Sequence, residues 1–226
     1  MTEKAEEKQY RCPGESYTIS DSVCRGRQRV NYPKCNVCLE KIEPGGFAQS
    51  HAEPKLSINI FKSYDIRGKY PSELNDTTAH KIGTSIALFF REKNPDVKNI
   101  VVGRDMRLSS KSLANALIEG LCTAGLNVIN VGVVSSEMTY FAVGHYKYDG
   151  GVMVTASHNP AEYNGFKLCR EQAIPVSFET GIDRISKLTK QYHPLRGEHL
   201  GKVIVSDIFV DYKKHVLKFA SNLRHL

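Results

Sequence analysis

Residues 150–167 of the chain are GGVMVTASHNPAEYNGFK. The short apolar run GGVMV reads as a buried strand, and Thr155 marks where it gives way to a loop carrying Ser157, His158 and Asn159. Open α/β sheets place their chemistry at such strand ends. Pro160 stops the extended segment, Asn164-Gly165 signals a turn, and Phe166-Lys167-Leu168 is apt to pair as a second strand. The loop therefore offers a hydroxyl from one end and a lysine from the other.

Working upstream, the pattern alternates between strand and helix. Ile58 opens an apolar run that predicts a strand, followed by Asp65-Ile66-Arg67-Gly68, where the glycine suits a tight turn. Asn75-Asp76-Thr77 can cap a helix through Ala79, Ile82, Ile86 and Phe89-Phe90. Ile100-Val101-Val102 predicts a strand, and Ser109, Ser110 and Ser112 precede a helix with Leu113, Leu117 and Leu121 on one face. Gly125 closes that helix before a strand at Val128–Val131. Ser135-Ser136 caps a third helix, with Met138, Tyr140, Phe141 and Val143 as core candidates. Downstream, Pro175-Val176-Ser177 starts a helix through Ile182, Ile185 and Leu188. Val203-Ile204-Val205 is extended, and Ser206-Asp207 can cap a last helix bearing Ile208, Tyr212, Val216 and Phe219. This order predicts an α/β fold with a mixed, mainly parallel sheet sandwiched between helices.

At TASHNP and YNGFK the chain resembles the active-site loop of the α-D-phosphohexomutases, the phosphomannomutase/phosphoglucomutase family. FKSYDIRG resembles a second signature of that family and VGRDMR a third. The resemblance implies phosphohexomutase domain I, with Ser157 as the phosphoserine, His158 beside it and Lys167 as the basic residue beyond the turn. Tyr64 and Arg67 would line the cleft, with Tyr64, Arg67, Asn159 and Lys167 meeting phosphate or substrate. A guanidinium suits a phosphoryl oxygen because its planar fork donates two hydrogen bonds at once. Arg67 can equally pair with Asp65, and Arg107 can order the cleft or form a structural ion pair. His158 can shuttle a proton or only orient the phosphate.

The implied reaction is the reversible interconversion of hexose 1-phosphate and hexose 6-phosphate. It passes through a phosphoserine and a hexose 1,6-bisphosphate. In such a family Mg²⁺ bridges the serine phosphate and carboxylates of a later D-G-D-x-D-R loop. Ser157 would be one ligand here, whereas Asp149-Gly150-Gly151 precedes the serine and lacks the repeated acids. The resemblance covers about residues 58–226, so the expectation is a domain I over 56–206 and the first helix of a truncated domain II over 207–226. The remaining mutase domains would lie outside the chain, leaving it inactive alone. The alternative is a non-catalytic zinc- or phosphate-binding or regulatory module derived from the same fold.

Residues 1–55 differ from the rest: they are polar, hold Pro13, Pro33, Pro44 and Pro54, and carry four of the six cysteines. Cys12, Cys24, Cys35 and Cys38 are spaced C-x11-C-x10-C-x2-C, with one metal knuckle at the last pair. The expectation is a small irregular extension, in which these thiols either hold Zn²⁺ or stay unligated.

The 226-residue chain is 41% hydrophobic and 24% charged, ordinary for a globular protein. No apolar run approaches the roughly 20 residues that span a bilayer, and the N-terminus lacks an apolar secretory core, so a cytoplasmic location is expected. The net charge of +7 is unevenly placed: Lys and Arg against Asp and Glu number 9 to 8 in residues 1–55, 13 to 13 in 56–183 and 9 to 3 in 184–226. The basic end lacks interleaved aromatic residues of a nucleic-acid reader, so neither nucleic acid nor membrane is an expected partner. A phosphorylated hexose is.

Overall fold

The computed structural model describes residues 9–10, 19–20, 58–193 and 200–220. The chain divides into two units, Met1–Glu53 and Pro54–Leu226. The described part of the first is one antiparallel pair, β1 (Gln9–Tyr10) and β2 (Ile19–Ser20). Cys12, Cys24, Cys35 and Cys38, the candidate zinc ligands, lie outside the described residues.

The second unit opens with a 3₁₀ turn at Ile58–Ile60, where a strand was expected. The chain folds back at once, with the Lys62 N–H donating to the Asp65 carbonyl, so Phe61 bridges Ile66 and the strand begins later, as β3 (Ile66–Lys69). Gly68 therefore sits within the strand instead of forming a turn. A Cβ there would come 2.8 Å from the Ile60 side chain, so the residue is small for lack of space.

Helix α1 (Asp76–Lys93) starts where Asn75 accepts the Thr78 N–H at 3.0 Å and carries Asp76 in its first turn and Arg91 and Lys93 in its last. Those charges oppose the helix dipole at each end. Then follow β4 (Asn99–Arg104), α2 (Ser110–Thr123), β5 (Asn127–Val133), α3 (Ser136–His145), β6 (Gly150–Val154) and β7 (Tyr163–Arg170). Gly125 after α2 has φ +83°, a left-handed exit from the helix that glycine adopts without strain. Ser177 caps a π turn, Phe178–Ile182, leading into α4 (Asp183–Lys190). The last elements are β8 (Val203–Val205) and α5 (Phe209–Phe219). Ser206 and Asp207 were expected to cap α5; the helix starts two residues later, and Asp207 instead accepts the Phe209 N–H at 2.9 Å.

The sheet order is β3-β7-β6-β4-β5-β8. β6, β4, β5 and β8 run parallel, while β7 is antiparallel to both β6 and β3, giving the mixed, mainly parallel sheet expected. Asn164 and Gly165, expected in a turn, lie inside β7. The turn signal was instead a packing signal: a Cβ on Gly165 would collide with the Ile66 carbonyl of β3. Asn164 is fully buried and donates to the hydroxyls of Ser109 and Ser110 at 2.8 and 2.9 Å.

Alternation along the strands builds two layers of core. Ile100, Val102, Val152, Val154, Phe166 and Leu168 face α1, α2 and α4, whereas Val101, Ile129, Val131 and Cys169 face α3 and Ile208. Each fully buried side chain such as Phe89 or Phe166 contributes roughly 1.5–3 kcal/mol. Parallel strands β4, β5 and β6 end along one rim, where Asp105, Val134 and Thr155 follow them. That rim carries the candidate site.

Candidate active site

β6 is buried along its whole length, and the chain reaches solvent only at Ser157, two residues past the buried Thr155. Ser157 has φ +56°, a left-handed conformation that a non-glycine residue holds only when its surroundings impose it. Its N–H donates to the Thr155 hydroxyl at 2.9 Å, and that hydroxyl donates to Asp105 Oδ2 at 2.7 Å. Ser157 Oγ lies 3.2 Å from His158 Nδ1, with both residues exposed.

Asp105 anchors the arrangement. Its Oδ1 accepts the Arg107 N–H at 3.0 Å and the Ser110 hydroxyl at 2.5 Å, and its Oδ2 faces Arg107 Nε at 3.3 Å. The Arg107 guanidinium also donates to three carbonyls of the loop and one at the start of β7: Pro160 at 2.7 Å, Ser157 at 2.8 Å, Asn159 at 2.7 Å and Tyr163 at 3.2 Å. Asn159 turns inward, its side-chain amide donating to the Ala156 carbonyl at 2.8 Å. Of the two roles expected for Arg107, the ion pair with Asp105 is present, and its remaining donors go to the loop carbonyls.

Arg67 and Lys167 share one face of the sheet. Arg67 stands opposite Gly165 in the β3–β7 ladder, and Lys167 follows two positions along β7, opposite Met153 of β6. Arg67 pairs with Asp65, as its local alternative predicted, and its buried Nε has no hydrogen-bond partner among the described residues. Lys167 is half-buried. Neither cation hydrogen-bonds Ser157 Oγ among the described residues. Tyr64 is 78% exposed, standing out from the turn before β3. The structure therefore joins Ser157, His158 and Asn159 in one loop, and sets Arg67 and Lys167 on the adjoining strands.

A cavity of about 470 Å³ borders the rim, lined by Asp105, Met106, Val134, Ser135, Met138 and Asp207 among others. A second, of about 600 Å³, lies between α3 and α5 around Phe141, His145, Tyr212 and His215. Neither is lined by any residue of 155–167, so the serine stands outside both. The described residues contain no group of three or more His, Cys, Asp or Glu side chains arranged to hold a metal ion. Asp105, the carboxylate next to the loop, has both oxygens engaged by the protein itself. These donors do not make up an octahedral Mg²⁺ site.

Sequence reasoning missed Thr155 and Asp105 as scaffolding, although both lie inside motifs it singled out. It also missed Asn164, whose partners stand 54 and 55 residues away.

Residues 59–195 match the family described as phosphoglucomutase/phosphomannomutase, alpha/beta/alpha domain I. The chain belongs to that family. A protein of Vibrio cholerae named phosphomannomutase is 41% identical over 162 residues, which are 72% of this chain and 35% of that protein. A Klebsiella pneumoniae protein of the same name is 42% identical over 159 residues, covering 68% of this chain and 98% of the relative. A crystal structure of a phosphoglucomutase/phosphomannomutase family protein from Burkholderia thailandensis superposes with a TM-score of 0.64 at 30% identity, over 73% of this chain and 36% of that one. This family member thus spans about a third of the length of its Vibrio cholerae relative. No helix among the described residues is long and apolar enough to cross a membrane.

Proposed function

We propose that this chain is the catalytic-serine domain of a phosphohexomutase, with Ser157 as the phosphoryl carrier between hexose 1-phosphate and hexose 6-phosphate. The observation that carries the reading is the presentation of Ser157: an exposed Oγ beside His158 Nδ1, on a backbone pinned through Thr155 to Asp105 at the carboxyl rim of the parallel strands.

In the forward half-reaction a sugar hydroxyl attacks the phosphorus on Ser157. The new oxygen–phosphorus bond forms as the Oγ–phosphorus bond breaks, and the hydroxyl proton passes to a base. The resulting bisphosphate reorients and returns its other phosphoryl group to Oγ. His158, in contact with Oγ, is placed to hydrogen-bond the phosphate or accept a proton. A phosphoserine bears about −1.5 to −2 charges at neutral pH. Arg67 and Lys167, on one face of the neighbouring strands, are the cations that offset it, and Tyr64 and Asn159 complete the contact surface. Family relatives imply Mg²⁺; Ser157 would supply one ligand, the described residues do not supply the rest, and no step is assigned to the ion.

The region from residue 56 to 206 is the domain carrying this chemistry, and α5 opens the next. The test is incubation of the purified chain with glucose 1,6-bisphosphate, followed by phosphopeptide mapping. One phosphoryl group on Ser157, absent in Ser157→Ala, is expected, with no sustained turnover of glucose 1-phosphate. A label on another residue, or none, rejects the carrier role.

A further inference from the structure

Between β6 and β7 the backbone makes few hydrogen bonds with itself. Only the N–H groups of Asn159 and Tyr163 donate to loop carbonyls, those of Ala156 and Pro160. The loop's two ends are tied down, the Thr155 N–H donating to the Gly165 carbonyl and the Tyr70 N–H to the Glu162 carbonyl. Two internal bonds do not hold the residues between in one shape, least of all with Ser157 in the left-handed region. The carbonyls of Ser157, Asn159, Pro160 and Tyr163 all turn inward to a single group, the Arg107 guanidinium.

We infer that Arg107 is a positioning residue, whose planar cation gathers those four carbonyls and thereby keeps Ser157 at positive φ with Oγ outward. Its own aim is set by Asp105, which engages its Nε, its backbone N–H and the hydroxyls of Ser110 and Thr155. One carboxylate thus ties the arginine to the start of α2 and to the end of β6. The Arg107 side chain is 16% exposed, so water competes little for its donors. The Ser157–His158 peptide is trans, so holding its carbonyl toward Arg107 turns the His158 N–H to the opposite side. Lysine cannot substitute: an ammonium is a point charge with three tetrahedral donors, without the fork that spans four carbonyls.

The clamp is a conformational device that stands without any assigned chemistry; only its effect on phosphoryl transfer rests on Ser157 being the carrier. Hydrogen exchange of the full chain reads the first part. In the unmutated chain the Ser157 and Asn159 amides are protected, and in both Arg107→Ala and Arg107→Lys they exchange roughly 10-fold faster or more, while peptides of β4 and β6 are unchanged. Wild-type protection retained with lysine overturns the clamp. So does an unmutated loop that already exchanges freely, or an acceleration shared equally by β4 and β6. If Arg107→Ala does not fold, Arg107→Lys against the unmutated chain decides.

The second arm follows labelling of Ser157 by glucose 1,6-bisphosphate. A fall in maximal rate for both variants, at an unchanged half-saturating donor concentration, is expected. An unchanged maximal rate in a variant with a loosened loop overturns the positioning role. An unmutated chain that takes up no phosphoryl group rejects the carrier reading instead, and the exchange data still judge the clamp.

Discussion

Ser157 shows how a single residue can be legible in kind and illegible in conformation. Its hydroxyl and neighbours were readable from TASHNP, but its φ of +56° was not, because that angle depends on Asp105 and Arg107 some 50 residues earlier. A left-handed non-glycine residue costs roughly 1–2 kcal/mol, and a glycine there gives back part of that as chain entropy in the unfolded state. Ser157→Gly should therefore gain up to about 1 kcal/mol in urea unfolding while losing all phosphoryl uptake. A loss of stability in that variant would mean the backbone at 157 is not strained. Arg67 gives the converse lesson: its local ion pair with Asp65 was visible in the sequence, and the structure contains it.

Among the elements, helices α1 and α2 approach each other closely. A Cβ on Gly83 would collide with the Leu117 carbonyl, and one on Gly120 with that of His80, so the two backbones meet over reciprocal glycines. Gly120→Ala, harmless in an isolated helix, should destabilise the protein by about 1–3 kcal/mol as the helices are forced apart. Chemical denaturation of this variant beside an exposed Ala control on the same helix measures it.

Helix α5 is held to α3 by a different means. The Tyr146 hydroxyl donates to Asp211 Oδ2 at 2.7 Å, and the Phe141 ring meets Tyr212 edge-on and His215 at a tilt. The Tyr146 hydrogen bond, followed by Lys214 and His145, holds the Asp211 carboxyl below its usual range, while burial and Asp211 push Tyr146 up to about 12. A carboxyl depressed in the folded state stabilises fully above its unfolded pKa, near 3.9, and the contribution is lost as pH falls through the lower folded value. Exchange at α5 amides should therefore quicken relative to α3 as pH drops below about 4, and Tyr146→Phe, which removes the largest of these causes, should reduce that difference. An α5 equally protected at pH 3 and pH 6 would contradict it.

At the scale of the whole molecule, the segment beyond the family match completes the sheet. The matched region ends at residue 195, yet β8 pairs in parallel with β5 through Val203, Ile204 and Val205, and Ile208 is buried against the α3 side of the core. Ending the chain at residue 195 would bare the β5 edge and uncover Val131 and Ile129. The expected result is a loss of roughly 2–4 kcal/mol from apolar burial alone, together with a tendency to associate through the open edge. Sedimentation and thermal unfolding of that shortened chain test both parts; a monomer as stable as the parent would show that β8 is incidental. The VIV run was legible as extended, but its place at the sheet edge was not, because a parallel pairing leaves no mark in the turn that precedes it.

What the chain order of residues determined is the chemistry on offer and the alternation of elements: a hydroxyl followed by histidine at the end of an apolar strand, caps at Asn75 and Ser135, and apolar periods that change from helix to strand. These are local properties, set by neighbours within a few positions. Strand order, the reversal of β7, the burial of Asn164 and the convergence of Asp105, Thr155 and Arg107 on one loop belong to three dimensions. They depend on contacts between residues about 50 positions apart, whose free energies exist only once the sheet has closed around them.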